Sequence, residues 1–284
     1  MPFKNIHGIN IYYEIHGHGG DKPTIVLLHH GFGCVKIWKE IYSGLVGNGY
    51  RVIMYDRRGF GRSDKDSDFI DFYISDNYRP ESVVELAGLM SVLDIDSFHI
   101  IGQCEGGVIG VDYAVKYPEQ VQTLIMSSTQ CFSKVKMTEL NRLSFPKPFK
   151  DFDPELKEKL IEWHGAYAEP FFNQFRDYGG AYGKDFFDLR DTLPSVTCPA
   201  LVLYPDRSSI FDVEQGVGLY HHLPYGELAV LPNCGHNTYE YRPEEYLRSV
   251  LEFYQRTERS NELSSAERDE INFSCVAIKK DVTG

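Results

Sequence analysis

The sequence predicts an α/β fold built on a mostly parallel sheet with helices on both faces. Three observations carry this reading. Short β-rich runs recur, most of them continuously apolar, as in Thr24-Ile-Val-Leu-Leu28, Tyr50-Arg-Val-Ile-Met-Tyr55, Leu124-Ile-Met126 and Leu201-Val-Leu-Tyr204, and such runs mark strands covered on both sides. Segments with helical spacing alternate with them, which implies right-handed crossovers between parallel strands. The chemistry-bearing residues fall at the carboxyl ends of the runs, where sheets of this kind place their functional loops.

Taken in order, residues 3 to 16 read as two short strands joined at His7-Gly8, an edge hairpin with Ile9, Ile11 and Tyr13 on one face. Thr24 to Leu28 is the first buried strand, followed by a helix around Trp38 to Val46, the strand at Tyr50 to Tyr55, and a helix from Ser82 to Leu93 with apolar residues at helical spacing. The run Phe98-His-Ile-Ile-Gly-Gln ends at Cys104-Glu-Gly-Gly107, and a helix is expected from Glu105 to Tyr117, closed by Pro118. After the strand at Leu124 to Met126 the alternation lapses, and residues 131–196 read as an inserted helical lid. Asp153-Pro154 is an N-cap followed by proline at the first helical position, opening a helix with Leu156, Leu160, Ile161, His164 and Tyr167 on its apolar side. Glu169-Pro170 opens another that carries Phe171, Phe172 and Phe175, and Phe186 to Asp191 reads as a third, short one. The core resumes with Cys198 to Tyr204, a helix near Val213 to His222, the strand Glu227 to Leu231 and a last helix from Pro243 to about Gln255. The core thus spans 1–130 and 197–256, and 257–284 is a polar tail, disordered or docked, within which Ile271 to Ile278 has the pattern of an extra strand.

With 284 residues and 42% apolar content the chain can bury a large core. A formal charge of −12 without a basic stripe argues against nucleic acid, and no run approaches a membrane span, so a cytoplasmic protein with no membrane or nucleic-acid partner is expected. The six cysteines, at 34, 104, 131, 198, 234 and 275, form no dense framework and no metal-ligand spacing, and burial is the plain expectation for most of them. His29-His30 and His221-His222 are adjacent pairs, and adjacent residues of a strand face opposite ways, so no metal site is expected.

Gly102-x-Cys104-x-Gly106 has the spacing of a nucleophile elbow, the sharp strand-to-helix turn that requires near-absent side chains two residues to either side of the nucleophile. Together with His30-Gly-Phe-Gly33, Asp56-Arg-Arg-Gly-Phe-Gly-Arg-Ser63 and Leu231-Pro-Asn-Cys-Gly-His236, in this order, it resembles the lidded α/β-hydrolase superfamily over roughly residues 5 to 256. The resemblance implies the α/β-hydrolase fold, with an eight-stranded, mostly parallel sheet, a nucleophile at Cys104 and a catalytic histidine at His236. It also implies an oxyanion hole formed by the backbone N–H groups of Phe32 and Glu105.

Two departures stand out. Cysteine occupies the nucleophile position usually held by serine. After the seventh strand, where family members carry the aspartate that orients the histidine, Tyr204-Pro-Asp-Arg-Ser208 places Ser208, with Asp206 two residues earlier as the alternative. A thiol is more acidic than a hydroxyl, and a helix N-terminus or an imidazolium lowers its pKa further, so Cys104 and His236 are expected to rest as an ion pair, with Ser208 accepting a hydrogen bond from the far ring nitrogen and a carboxylate there less necessary. The Glu105 side chain is expected to be solvated or to touch substrate. His30, Trp163, Tyr167 and Phe171 are candidates to line an apolar pocket, although lid aromatics commonly serve packing alone.

The expected function is a cofactor-free hydrolase that forms a Cys104 thioester on a small or medium apolar ester, lactone or thioester, acting as a monomer or homodimer on a small-molecule acyl substrate. Acyl transfer or cyclisation through the same intermediate is one alternative. A ligand-binding receptor that has kept the pocket without turnover is another, kept open by the missing aspartate.

Overall fold

The computed structural model describes residues 2–262 apart from positions 19, 21, 67 and 179. Its eight strands are β1 Phe3–Ile6, β2 Ile9–His16, β3 Thr24–Leu28, β4 Arg51–Tyr55, β5 Phe98–Gln103, β6 Val121–Ser127, β7 Ala200–Pro205 and β8 Gly226–Leu231. They form one sheet in the order β1-β2-β4-β3-β5-β6-β7-β8. β1 and β2 pair antiparallel, as does β2 with β4, and every later pair is parallel. The α/β-hydrolase architecture is therefore present, and β5 lies at its centre.

The alternation of side chains along each strand divides the core into two layers. Val26, Leu28, Ile53, Ile100, Leu124, Met126 and Val202 face one layer, while Ile25, Leu27, Val52, Met54, Ile101, Ile125 and Leu201 face the other. This two-sided burial is why the strands read as continuous apolar runs rather than alternating ones. Helices α1 Lys39–Gly47 and α10 Pro243–Glu262 cover the second layer with Ile41, Leu45, Tyr246, Val250 and Phe253. The first layer is covered by α3 Tyr78–Val92 and α4 Glu105–Lys116, and α2 Phe69–Tyr73 packs there as well.

Between β6 and β7 lie α5 Met137–Ser144, α6 Pro154–His164 and α7 Ala168–Tyr178, and α8 Glu214–His222 and α9 Thr238–Tyr241 follow β7 and β8. The Asp153 side chain caps α6 by accepting from Leu156 N–H at 2.9 Å. Phe32 of the β3–α1 loop inserts among Phe171, Phe172 and Phe175 of α7, with ring centroids 5.1, 5.2 and 5.9 Å away, and so fastens α7 to the sheet. His164 adds a polar tie, its Nδ1 accepting from Gly61 N–H at 3.2 Å and its Nε2 lying 3.2 Å from the Phe32 carbonyl.

Several local expectations are corrected. The helix expected from Ser82 begins at Tyr78, because Pro80 falls in the first turn, where its missing N–H has no intrahelical partner to lose. Helices α2 and α5 were not legible. Phe186 to Asp191 forms no helix: Leu189 N–H donates to Cys131 O and Ser133 N–H to Phe187 O, so the segment runs beside Cys131–Ser133, with an isolated bridge between Phe132 and Asp188. On α6, Leu160 and His164 are buried, but Ile161 is 50% exposed. The last helix continues through residues 257–262, and the expected strand at 271–278 lies outside the described residues.

Candidate active site

Cys104 is placed by the strand-to-helix turn between β5 and α4. Its backbone adopts φ 52° and ψ −114°, a left-handed-side conformation that a residue with a Cβ holds only under tertiary constraint. The flanking glycines explain how this is tolerated. A Cβ on Gly102 would stand 2.4 Å from the Gly106 carbonyl oxygen, and one on Gly106 would stand 2.2 Å from that of Leu28, so a methyl group at either position collides with backbone.

At the thiol, the Tyr182 hydroxyl lies 3.4 Å from Sγ, and the Glu105 N–H also donates toward the sulfur. Burial pushes the Cys104 thiol up to about 12, with the nearby Glu105 carboxylate adding to the rise and outweighing these hydrogen bonds. Burial likewise pushes His236 down to about 4. Against the expected thiolate–imidazolium pair, burial favours the neutral form of each group, since an enclosed site disfavours either charge.

The imidazole itself is held from behind. The carbonyl of His236 accepts from Gln103 Nε2 at 3.0 Å and from Ser128 Oγ at 2.7 Å, which ties the histidine loop to the ends of β5 and β6. The Ser208 hydroxyl oxygen lies 3.1 Å from His236 Nδ1. Asp206 is engaged elsewhere: its carboxylate accepts from Cys234 N–H at 2.9 Å, and the amides of Cys234 and Asn233 hold it below the usual carboxylate range. Of the two residues left open by the sequence, the one beside the imidazole is thus Ser208.

Glu105 is neither solvated nor free to meet substrate, a second correction. Its side chain is fully buried, with Oε1 2.6 Å from Arg57 Nη1 and 2.8 Å from the Tyr78 hydroxyl, while Oε2 accepts from Ala181 N–H at 3.0 Å. Burying a carboxylate requires such a counter-charge, and Arg57 is itself buried against the His29 and His30 carbonyls. By holding Ala181, Glu105 also sets the position of the adjacent Tyr182. Neither Arg57 nor Tyr182 was singled out in the sequence. Arg57 occupies a variable slot of its motif, and Tyr182 lies 78 positions from Cys104 in a short 3₁₀ turn after α7, where no local pattern points to the site.

Above the thiol lies a cavity of about 490 Å³, lined by residues that include His30, Phe32, Cys104, Trp163, Tyr182 and His236. Two of the expected lining residues are not among those that form it. Phe171 is buried in a ring cluster with Phe60, Phe69 and Tyr73, and Tyr167 sits on the 3₁₀ turn between α6 and α7, 45% exposed beside Lys65. Phe172 and Phe175 line the cavity instead. Phe32 N–H is present at the cavity wall but donates to His30 Nδ1 at 3.2 Å, while His30 Nε2 meets the Tyr239 hydroxyl at 3.2 Å.

Comparison with known proteins agrees with the fold. The profile of the alpha/beta hydrolase fold family matches residues 23–168. A proline iminopeptidase of Lactobacillus helveticus is 36% identical over 230 residues, covering 80% of this chain and 72% of that protein. Among solved structures, a meta-cleavage product hydrolase from Pseudomonas fluorescens superposes with a TM-score of 0.72 at 20% identity, covering 88% of this chain and 95% of its own. The enol-lactonase from Burkholderia xenovorans superposes with a TM-score of 0.70 at 19% identity, covering 89% of this chain and all of its own (100%). With its eight-stranded sheet and this match, the chain belongs to the α/β-hydrolase family.

Proposed function

We propose that the protein is a cofactor-free hydrolase that forms a thioester on Cys104 with a small or medium apolar ester, lactone or thioester. The observation that carries this reading is the strained elbow conformation of Cys104, which aims its sulfur into the cavity beneath the lid. Because the thiol is neutral, its proton leaves during attack. Sγ bonds to the acyl carbon while His236 Nε2 takes the proton, and the carbonyl oxygen becomes an oxyanion that accepts from the N–H groups of Glu105 and Phe32, the latter giving up its bond to His30 Nδ1. His236 then protonates the leaving group. Water attacks the thioester, giving its proton to His236, and the acid departs as the thiol regains its hydrogen.

The lining favours this substrate class over one with a free amino terminus, the kind of substrate that the name of the iminopeptidase relative denotes. Among the described residues the cavity lining includes Lys147, Lys159 and Arg207 but no aspartate or glutamate, so an ammonium group would meet cations without a counter-charge. The test is a turnover panel of esters, lactones, acyl thioesters and amino-terminal proline peptides. Hydrolysis of an ester, lactone or thioester that disappears in Cys104→Ala is expected. Turnover that survives this substitution, or turnover of the peptides alone, would overturn the proposal.

A further inference from the structure

Counting hydrogen bonds at Ser208 gives a consequence for the imidazole. A hydroxyl has two acceptor lone pairs and one hydrogen to donate. Ser208 Oγ accepts from Ile210 N–H at 3.2 Å and from Phe211 N–H at 3.1 Å, and its third neighbour is His236 Nδ1 at 3.1 Å. Both lone pairs are thus taken by backbone donors that cannot reverse their role, and only the O–H remains for the ring nitrogen.

We infer that Ser208 donates its hydroxyl hydrogen to His236 Nδ1 and so holds the imidazole in the Nε2–H tautomer, in which the nitrogen that the proposed reaction uses as its base already carries a proton. Ser208 is then a positioning residue that opposes the orienting role an aspartate plays. A carboxylate at this place accepts from all three neighbours at once, since it has about four acceptor sites and nothing to donate, and it selects the Nδ1–H tautomer whose Nε2 is a free base. Asp206 does not fill that role from its own position, because its carboxylate is held by the Cys234 and Asn233 amides. Phe211, packed edge-on to the imidazole at 5.4 Å, fixes the ring against turning away from the serine.

This inference rests on the proposed function for its kinetic consequence, though not for its structural one. In that reaction, acylation draws on the minor tautomer, so Cys104 is acylated slowly and Ser208 sets the pace. Holding a catalytic histidine in the wrong tautomer costs up to about 10⁴-fold in a serine protease.

The test uses the full chain labelled with ¹⁵N-histidine, with two-bond proton–nitrogen correlations to read the His236 tautomer, and stopped-flow acylation by p-nitrophenyl butyrate. Wild type is expected to carry its proton on Nε2. Ser208→Asp is expected to move it to Nδ1 and to raise the acylation rate by about 100-fold or more. An Nδ1 proton in the wild-type protein overturns the inference whatever the variants do, and so does a Ser208→Asp protein that folds with an unchanged tautomer. If Ser208→Asp does not fold, Ser208→Ala serves, and it is expected to lose the exclusive Nε2–H signature. An Nε2–H tautomer in a wild-type protein whose Cys104 no ester acylates supports this inference while removing the hydrolase reading.

Discussion

The buried pair of Arg57 and Glu105 offers the sharpest test of how the elbow is supported. Glu105→Gln keeps the size of the side chain, but its single amide oxygen can replace only one of the two carboxylate oxygens that accept from Tyr78 and Ala181, and it removes the charge opposite Arg57 Nη1 at 2.6 Å. Both partners are almost wholly shielded, with side-chain exposures of 2% and 0%, so Arg57 would be left as an uncompensated buried cation. Losing one partner of such a pair costs about 3–5 kcal/mol, a large share of the roughly 5–15 kcal/mol that separates folded from unfolded protein. Arg57→Met should cost a similar amount. The double variant Arg57→Met/Glu105→Gln leaves no lone charge, so it should be more stable than the sum of the singles implies by about 2 kcal/mol or more. Urea unfolding followed by tryptophan fluorescence and circular dichroism on the four proteins measures this cycle. Single-variant losses under about 1 kcal/mol, or additive losses in the double variant, would refute the reasoning that each charge requires the other.

Two further predictions concern protons. Cys104 should react slowly with iodoacetamide near neutral pH, and its labelling rate should keep rising beyond pH 9, since burial and the Glu105 carboxylate push the thiol up to about 12; mass-spectrometric rates that level off near pH 8 would contradict this. His99 is buried away from the site with its Nδ1 2.8 Å from Thr123 Oγ1, and burial lowers it from 6.5 to about 4. The unfolded chain therefore binds a proton first as pH falls, so the stability tied to neutral His99 is full above about pH 6.5 and is lost toward pH 4, by up to ~3 kcal/mol. His99→Asn, which can still pair with Thr123, should show a correspondingly shallower acid loss in denaturant titrations at pH 7, 6, 5 and 4, and an unchanged slope would count against the assignment.

The central strands β3 to β7 were legible because they are buried on both faces, which leaves a continuous apolar signature that does not depend on their neighbours, as with Thr24–Leu28 and Ala200–Pro205. The elbow was legible for a steric reason, since Gly102 and Gly106 are demanded by backbone contacts under 2.5 Å that any side chain would violate. The protonation state of the thiol was not legible, because it is set by desolvation and by charges brought in from distant segments. Glu105 reads as a surface-type residue until Arg57, Tyr78 and Ala181 close around it, and Tyr182 reaches the sulfur from a 3₁₀ turn with no motif of its own. The same limit applies to Phe171 and Phe175: their spacing marks one helix face, and only packing decides that the first joins Phe60 and Tyr73 while the second borders the cavity.

The central claim is that the sulfur of Cys104 becomes covalently acylated. Rapid acid quenching of the wild-type protein after mixing with equimolar p-nitrophenyl butyrate, followed by peptide mapping, tests this most directly. A butyryl mass increment on the peptide containing Cys104, absent from Cys104→Ala, is the predicted result. Release of p-nitrophenol with no adduct at Cys104 at any quench time, or an adduct at another residue that persists in Cys104→Ala, would contradict it.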